Sequence, residues 1–373
     1  MSETFQLREV FNTKVVNLIA NSIYNVYPDF KNDEFVNYVL SKIDILSFGD
    51  RSSLITDALG KFLPKDFKQA ANILYKSLGP EIEEANLTGY DRFYIMPLGI
   101  YVSRFGRNNF DTSMKLLYEM TKRFSSEWPI RTFIILEPVK SFKLLHRWVE
   151  DPNPHIRRLV SECTRSRLPL SSPLKEFITN PEPVIELLTL LNKSSELYVK
   201  RSIANNLNDI SKDNPKIVTQ TLNKWKNKDK SKNMQWIIQH SLRTLVKQGN
   251  VDALELLGFN KDPNIEILNF TLHSKNIIIG SKLQFEFEII NKSKDSVNLM
   301  IDYIIHFMKY NGKTKQKVFK LSKKKLTSKE SLKINKNHMI TQLSTRKIYQ
   351  GEHQIQLQIN GMKGNLLKFI VRK

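Results

Sequence analysis

At Asn260-Lys261-Asp262-Pro263 the hydrophobic period of this chain changes from three or four residues to two. The two periods bury faces of different elements, so the chain is expected to fold as a helical part followed by a sheet part. From Phe5 to about Gly258 apolar residues recur at helical spacing. They do so in Leu7–Tyr27, Glu34–Leu46, Ser52–Phe62, Phe67–Lys76, Tyr94–Phe105, Phe110–Phe124, Trp128–Leu136 and Lys140–Glu150. A helix from His155, Pro183–Leu191, a helix from Val199, Pro215–Trp225, Met234–Lys247 and Val251–Leu257 continue the pattern. Asp66 is placed to cap the helix that begins at Phe67. Beyond residue 264 alternation takes over in Ile265–Leu272, Lys282–Asn291, Val297–Lys309, Lys315–Lys320, Glu330–Ile334, Glu352–Asn360 and Leu366–Val371. Turns at Asn311-Gly312 and Asn360-Gly361 separate several of these strands. Six or seven short strands over about 110 residues read as a β-sandwich of immunoglobulin-like type.

The helical part repeats itself. Asp151-Pro152-Asn153-Pro154 leads into Ile156-Arg157-Arg158, Lys193-Ser194-Ser195-Glu196 into Val199-Lys200-Arg201, and Gln235-Trp236 into Ile238 through Arg243. These starts lie roughly forty residues apart, the period of two-helix HEAT-type repeats. The predicted fold class is mainly α: a HEAT-like α-solenoid over residues 1–260, followed by a C-terminal immunoglobulin-like β-sandwich over residues 264–373. In such stacks one helix of each pair lines a concave surface. In His155–Arg167 (HIRRLVSECTRSR), Ile156, Leu159, Val160 and Cys163 form the stripe that buries, and Arg158, Glu162 and Arg165 share another face. In Val199–Ile210, Val199, Ile203 and Ile210 lie below, with Arg201, Asn205 and Asp209 on the polar side. The third repeat adds His240, Arg243 and Lys247. The lining would be a basic groove holding a few carboxylates; an ordinary repeat surface laced with i,i+4 ion pairs reads the same way.

Charge narrows the partner. The chain carries a formal net charge of +21 over 373 residues, which favours nucleic acid, an anionic membrane surface or an acidic protein. From Asn264 onward there are 21 Lys and Arg against 7 Asp and Glu, so the sandwich holds +14 of that excess. Lys323-Lys324-Lys325 reads as a basic loop, either a solvated turn or a contact to phosphate backbone. Part of the lysine excess is also what an AT-rich coding sequence would give. The single cysteine, Cys163, rules out an intramolecular disulfide framework and a multi-cysteine metal site, and its place on the apolar stripe favours a buried structural thiol over a nucleophile. The N-terminal MSETFQLREVFN has no signal pattern and no apolar run reaches spanning length, so a cytoplasmic protein without membrane contact is expected.

Among motifs, GxxxxGK[ST], GxGxxG, GxSxG, HExxH and paired CxxC are all missing. Nucleotide hydrolysis, hydride transfer, serine esterase chemistry and zinc hydrolysis are therefore not first choices. What remains is carboxylates in a positive groove: Glu127, Glu162 and Asp209.

Four blocks carry a family resemblance: SEWPIRTFI (Ser126–Ile134), HIRRLVSECTRSRLP (His155–Pro169), YVKRSIANNLNDISKDNP (Tyr198–Pro215) and WIIQHSLRTLVKQG (Trp236–Gly249). Together, and in this order, they resemble bacterial AlkC-type alkylpurine DNA glycosylases, relatives of AlkD in the HEAT-like glycosylase superfamily. The resemblance implies excision of cationic alkylated bases such as N3-methyladenine from double-stranded DNA, by a monofunctional enzyme with no metal or organic cofactor. It implies Glu162, Asp209 and Glu127 as the catalytic carboxylates and Arg158 as a phosphate grip near the lesion. Arg165, Arg201 and Arg243 would add backbone contacts from successive repeats, an inference from groove geometry, with His240 and Trp236 as further contacts to DNA. A bacterial monomer, in the cytoplasm and on the nucleoid when bound to DNA, is expected. The chain departs from the family pattern at Cys163 and Leu170, where glycine and tryptophan are usual. It also has Trp128-Pro129 for a phenylalanine-alanine pair and Thr132 for a proline. Leu170 removes the aromatic contact expected at that position.

Each of these residues has a plainer use. Glu127 could serve the dipole of the helix that follows it. His240 could be solvated, and Trp148 and Trp225 are better read as packing residues than as stacking platforms. A non-catalytic repeat protein that reads nucleic-acid shape, or a scaffold for acidic peptides, remains open on composition alone.

Overall fold

A computed structural model describes residues 6–82, 92–343 and 346–373. Phe5, where the helical period begins, and the start of the N-terminal segment lie outside the described residues. The chain divides into two compact units, residues 1–213 and 214–373.

The first unit is helical. Its helices are α1 (Thr13–Tyr24), α2 (Asn32–Leu40), α3 (Phe48–Phe62), α4 (Phe67–Lys76), α5 (Ile95–Phe105) and α6 (Phe110–Thr121). They continue as α7 (Ile130–Leu136), α8 (Pro138–Trp148), α9 (Pro154–Cys163), α10 (Lys175–Thr179), α11 (Glu182–Leu191) and α12 (Leu197–Ile210). The expected helix Leu7–Tyr27 is a 3-10 turn at Leu7–Val10 followed by α1. Asn12 makes the break: its side chain accepts from the Val15 amide at 3.2 Å and starts the helix afresh. Asp66 caps α4 as its position foretold, accepting from the Gln69 amide at 2.7 Å. Proline opens α8 and α9, where a missing amide costs nothing. The stripes of α9 and α12 are buried as their spacing requires, with Ile156, Leu159, Val160, Cys163, Val199, Ile203 and Ile210 all in the core. Trp148 packs on Tyr118 with ring centroids 5.5 Å apart.

The second unit joins four helices to the sandwich: α13 (Pro215–Lys228), α14 (Lys232–Ser241), α15 (Arg243–Gln248) and α16 (Val251–Leu256). Periodicity groups these four with the helices of residues 1–260. Met234–Lys247, one helix by its spacing, is broken at Leu242. Arg243 turns back across the break and donates to the His240 carbonyl at 2.7 Å.

Eight strands follow: β1 (Ile265–Leu272), β2 (Asn276–Ile278), β3 (Lys282–Asn291), β4 (Val297–Met308), β5 (Thr314–Leu326), β6 (Ser331–Met339), β7 (Gly351–Ile359) and β8 (Met362–Arg372). They form a three-stranded sheet, β1-β3-β6, and a five-stranded sheet, β2-β8-β7-β4-β5. In β3, Leu283, Phe285, Phe287 and Ile289 point inward in strict alternation, and meet Leu299, Ile301, Tyr303 and Ile305 of β4 in the core. The strand that periodicity did not announce is β2, three residues paired in parallel with β8, too short to show an alternation. The triad Lys323-Lys324-Lys325 is not a loop. It lies within β5, paired with Met300, Leu299 and Asn298 of β4. Because β5 ends its sheet, the lysines stud an open edge, where charge discourages pairing with other chains.

Two glycines with positive φ differ in what surrounds them. A Cβ on Gly361 (φ +83°) would stand 2.6 Å from the carbonyl oxygen of Gly249, whereas Gly312 (φ +73°) has nothing within 4 Å. Gly312→Ala should cost about 1 kcal/mol, the strain of a left-handed L-residue. Gly361→Ala should cost at least about twice that, because backbone must move. Denaturant unfolding of the full chain measures both; equal losses would mean that the two glycine backbones are not in firm contact.

Candidate active site

The site is built at the C-terminal end of α9. Asn153 accepts from the His155 amide at 2.8 Å and starts the helix. At the other end Thr164 returns its hydroxyl to the Val160 carbonyl at 2.8 Å. The helix stops at Cys163, so Arg165, read from spacing as a helical residue one turn beyond Glu162, is carried by the turn that follows. Arg131 of α7 holds that turn in place. Its guanidinium donates to the carbonyls of Cys163 at 3.2 Å, Arg165 at 2.7 Å and Ser172 at 2.6 Å. From α12, Asn206 donates to the Ser161 carbonyl at 2.8 Å and ties the two helices together.

On this frame lies a row of alternating charge. Ser125 donates its hydroxyl to Glu127 at 2.8 Å. Arg158 reaches Glu127 at 3.2 Å and Glu162 at 3.9 Å. Arg165 donates to Glu162 at 2.9 Å and, through Nε and Nη2, to one oxygen of Asp209 at 2.7 Å. Lys212 closes the row on the other Asp209 oxygen at 2.8 Å. Glu162 and Asp209 are only 4 % and 3 % exposed. Burial works against a charged Arg158, but Glu127 and then Glu162 outweigh it, and the guanidinium holds its proton more tightly than usual. The same balance holds for Arg165, with Glu162 and Asp209 prevailing over burial. The Arg158 guanidinium also stands 5.0 Å from the centre of the Tyr198 ring.

Five of the residues singled out in the sequence thus share one cluster: Glu127, Arg158, Glu162, Arg165 and Asp209. Arg165, expected to contact the DNA backbone, has its guanidinium enclosed by two carboxylates. Arg201 is exposed on α12 and takes no part in the row. Trp236, His240 and Arg243 form a group of their own within the second unit, with Trp236 stacked on His240 at 4.8 Å. Leu170 is 79 % exposed and adopts φ +58°. Beside it, Trp128 donates its indole N–H to the Pro169 carbonyl at 3.2 Å. Ser125, Arg131 and Lys212 went unmarked in the sequence. Lys212 had a signal, its i,i+3 spacing from Asp209, and Arg131 had one in being a cation inside the stripe Ile130, Phe133, Ile134. Among the described residues no group of three or more His, Cys, Asp or Glu could hold a metal ion, and no helix is long and apolar enough to cross a membrane.

Chemically, three carboxylates and three cations balance. Any anion that draws Arg158 away leaves Glu127 without its cation and the row with one unbalanced negative charge, ready for a cation. Replacing Arg165 by methionine would leave Glu162 buried against only the distant Arg158, while Asp209 keeps Lys212. We expect Arg165→Met to lower stability by about 3 kcal/mol near neutral pH, the loss typical of breaking a buried ion pair. Urea unfolding of both proteins checks this; a deficit below about 1 kcal/mol, the range of an exposed pair, would mean the guanidinium contributes little beyond packing.

Residues 266–373 match the sequence model of a family described as the C-terminal Ig-like domain of the uncharacterised protein YhaZ. The chain is 32% identical over 366 residues to the uncharacterized protein YhaZ of Bacillus subtilis (strain 168), covering 98% of this chain and 99% of that one. Among solved structures it resembles the Pseudomonas fluorescens alkylpurine DNA glycosylase AlkC bound to DNA containing an abasic site analog. The TM-score is 0.88 at 31% identity, covering 99% of this chain and 100% of the other. The chain belongs to the AlkC-type alkylpurine DNA glycosylase family.

Proposed function

We propose that this protein is a monofunctional DNA glycosylase that hydrolyses the N-glycosidic bond of cationic alkylated purines, of the N3-methyladenine kind, in duplex DNA. An N3-alkylated base already carries positive charge and departs neutral, so no strong general acid is needed. The barrier lies in the sugar, which becomes oxocarbenium-like as the bond breaks. A buried carboxylate stabilises that cation and orients the attacking water. The carrying observation is the row from Glu127 to Asp209, which holds two nearly buried carboxylates on the two sides of one guanidinium. We assign Glu162 and Asp209 to the sugar and the water, with Glu127 beside them. Arg158, more accessible than Arg165, takes a DNA phosphate. That exchange frees Glu127, beside a Glu162 still held by Arg165, to face the cationic nucleoside, so lesion DNA supplies both the anion and the cation that the row requires. Arg165 keeps the two carboxylates apart by the width of its own head group and is a positioning residue. The helices of the first unit are read as HEAT-like repeats that present this row, and the basic sandwich as an auxiliary grip on nucleic acid.

Glu162→Gln and Asp209→Asn should each slow single-turnover release of methylated base from alkylated duplex by at least about tenfold, or about 1.4 kcal/mol of barrier. Duplex affinity should stay near that of the wild type. Wild-type rates in both would remove these carboxylates from the chemistry. Duplex binding with no base released by the wild-type protein would make the chain a non-catalytic nucleic-acid binder.

A further inference from the structure

The second unit contains a cavity of about 910 Å³ that the glycosylase reading does not use. One wall comes from α15, with Thr244 and Lys247. The floor and far wall come from β4 and β5, with Ile304, Phe307 and Lys317, and from Arg346 and Lys363. Seven lysines and arginines line it, and among the described residues no carboxylate does. Edge protection accounts for lysines along β5, but not for a concave wall or for cations brought in from α15, β8 and Arg346.

Arg346 is the sharper observation. Its Nε and Nη1 are shut off from solvent and have no hydrogen-bond partner. Its guanidinium lies 4.3 Å from the centre of the Phe307 ring and 5.8 Å from that of Phe319. Shielded guanidinium donors left unmet are costly unless an acceptor arrives. Burial lowers the Lys317 pKa, and Arg346 and Lys247 push it lower still, so the cations here repel one another. An anion relieves that repulsion. At the mouth, Tyr310 is 83 % exposed, an aromatic face held out beside the cations.

We propose that this cavity is a nucleotide site: its cations take a phosphoryl group, and Phe307 with Tyr310 and Tyr349 provide apolar surface for a base or sugar. Volumes of this order suit a single small ligand, and aromatic shelves beside a basic groove accept bases without regard to sequence. The phosphoryl group could belong to a free mononucleotide or to a nucleotide within a single strand. The site goes beyond the glycosylase reading and stands without it.

Titration calorimetry on the full chain tests this with three probes: 2′-deoxyadenosine 5′-monophosphate, oligothymidylate of about ten nucleotides, and inorganic phosphate. Wild-type protein should bind the mononucleotide or the oligonucleotide. Arg346→Gln and the double variant Lys317→Gln/Lys363→Gln should each weaken that binding by at least about tenfold, the loss expected for charge-assisted hydrogen bonds to phosphate. The double variant changes only exposed side chains, so it decides the matter should Arg346→Gln fail to fold. Binding of the mononucleotide assigns the site to free nucleotides; binding of the oligonucleotide alone assigns it to a strand. No binding of any probe near 1 mM, unchanged affinity in both variants, or inorganic phosphate binding as tightly as the nucleotide would overturn the proposal.

Discussion

A single buried guanidinium, that of Arg165, fixes the geometry of the first unit's charged centre. It bridges Glu162 at the end of α9 to Asp209 near the end of α12, and both acids are almost wholly shielded from water. In such surroundings the attraction is strong because water cannot screen it, and each partner would be expensive to leave alone. The rest of the local structure follows from seating that side chain. Arg131 takes up the carbonyls of the turn that carries Arg165, Asn206 pins one helix against the other, and Lys212 satisfies the outer oxygen of Asp209. Pairing, packing and backbone course agree, which holds two carboxylates within one head group of each other.

How much of this could be seen in the sequence depends on the reach of the interaction concerned. Arg158 and Glu162 are one helical turn apart, so their adjacency follows from helix geometry alone, as do the buried stripes of α9 and α12. That Glu127 and Asp209 join them came from the family likeness and from the recurring layout, since nothing local to either residue demands it. Arg165 was placed on the correct side of Glu162 but for the wrong reason: the helix has ended, and Thr164 together with Arg131 redirects the chain. Arg131 itself was hidden because a long polar side chain amid apolar neighbours is normally read as snorkelling to water, whereas here it finds three carbonyls.

The sheet portion shows the same division. Alternation located seven of the eight strands, since each buries one face in a common core. It missed β2, whose three residues are held by pairing with β8 rather than by a pattern of their own. It also cut β5 short and turned Lys323-Lys324-Lys325 into a loop, because a terminal strand with lysine on both faces has no apolar side to announce it. Charge on an edge and charge in a loop are the same letters. Only the hydrogen-bonded ladder with β4 tells them apart.

Cys163 is the one thiol in the chain; it is fully buried in the α9 stripe, and burial pushes its pKa upward. Small methylating electrophiles react with sulfur chiefly as thiolate. A protein that meets alkylated DNA would be exposed to the same reagents that damaged it, and this one offers them no thiol at its surface. Self-inactivation through a thiolate is closed off by the same packing that builds the helix.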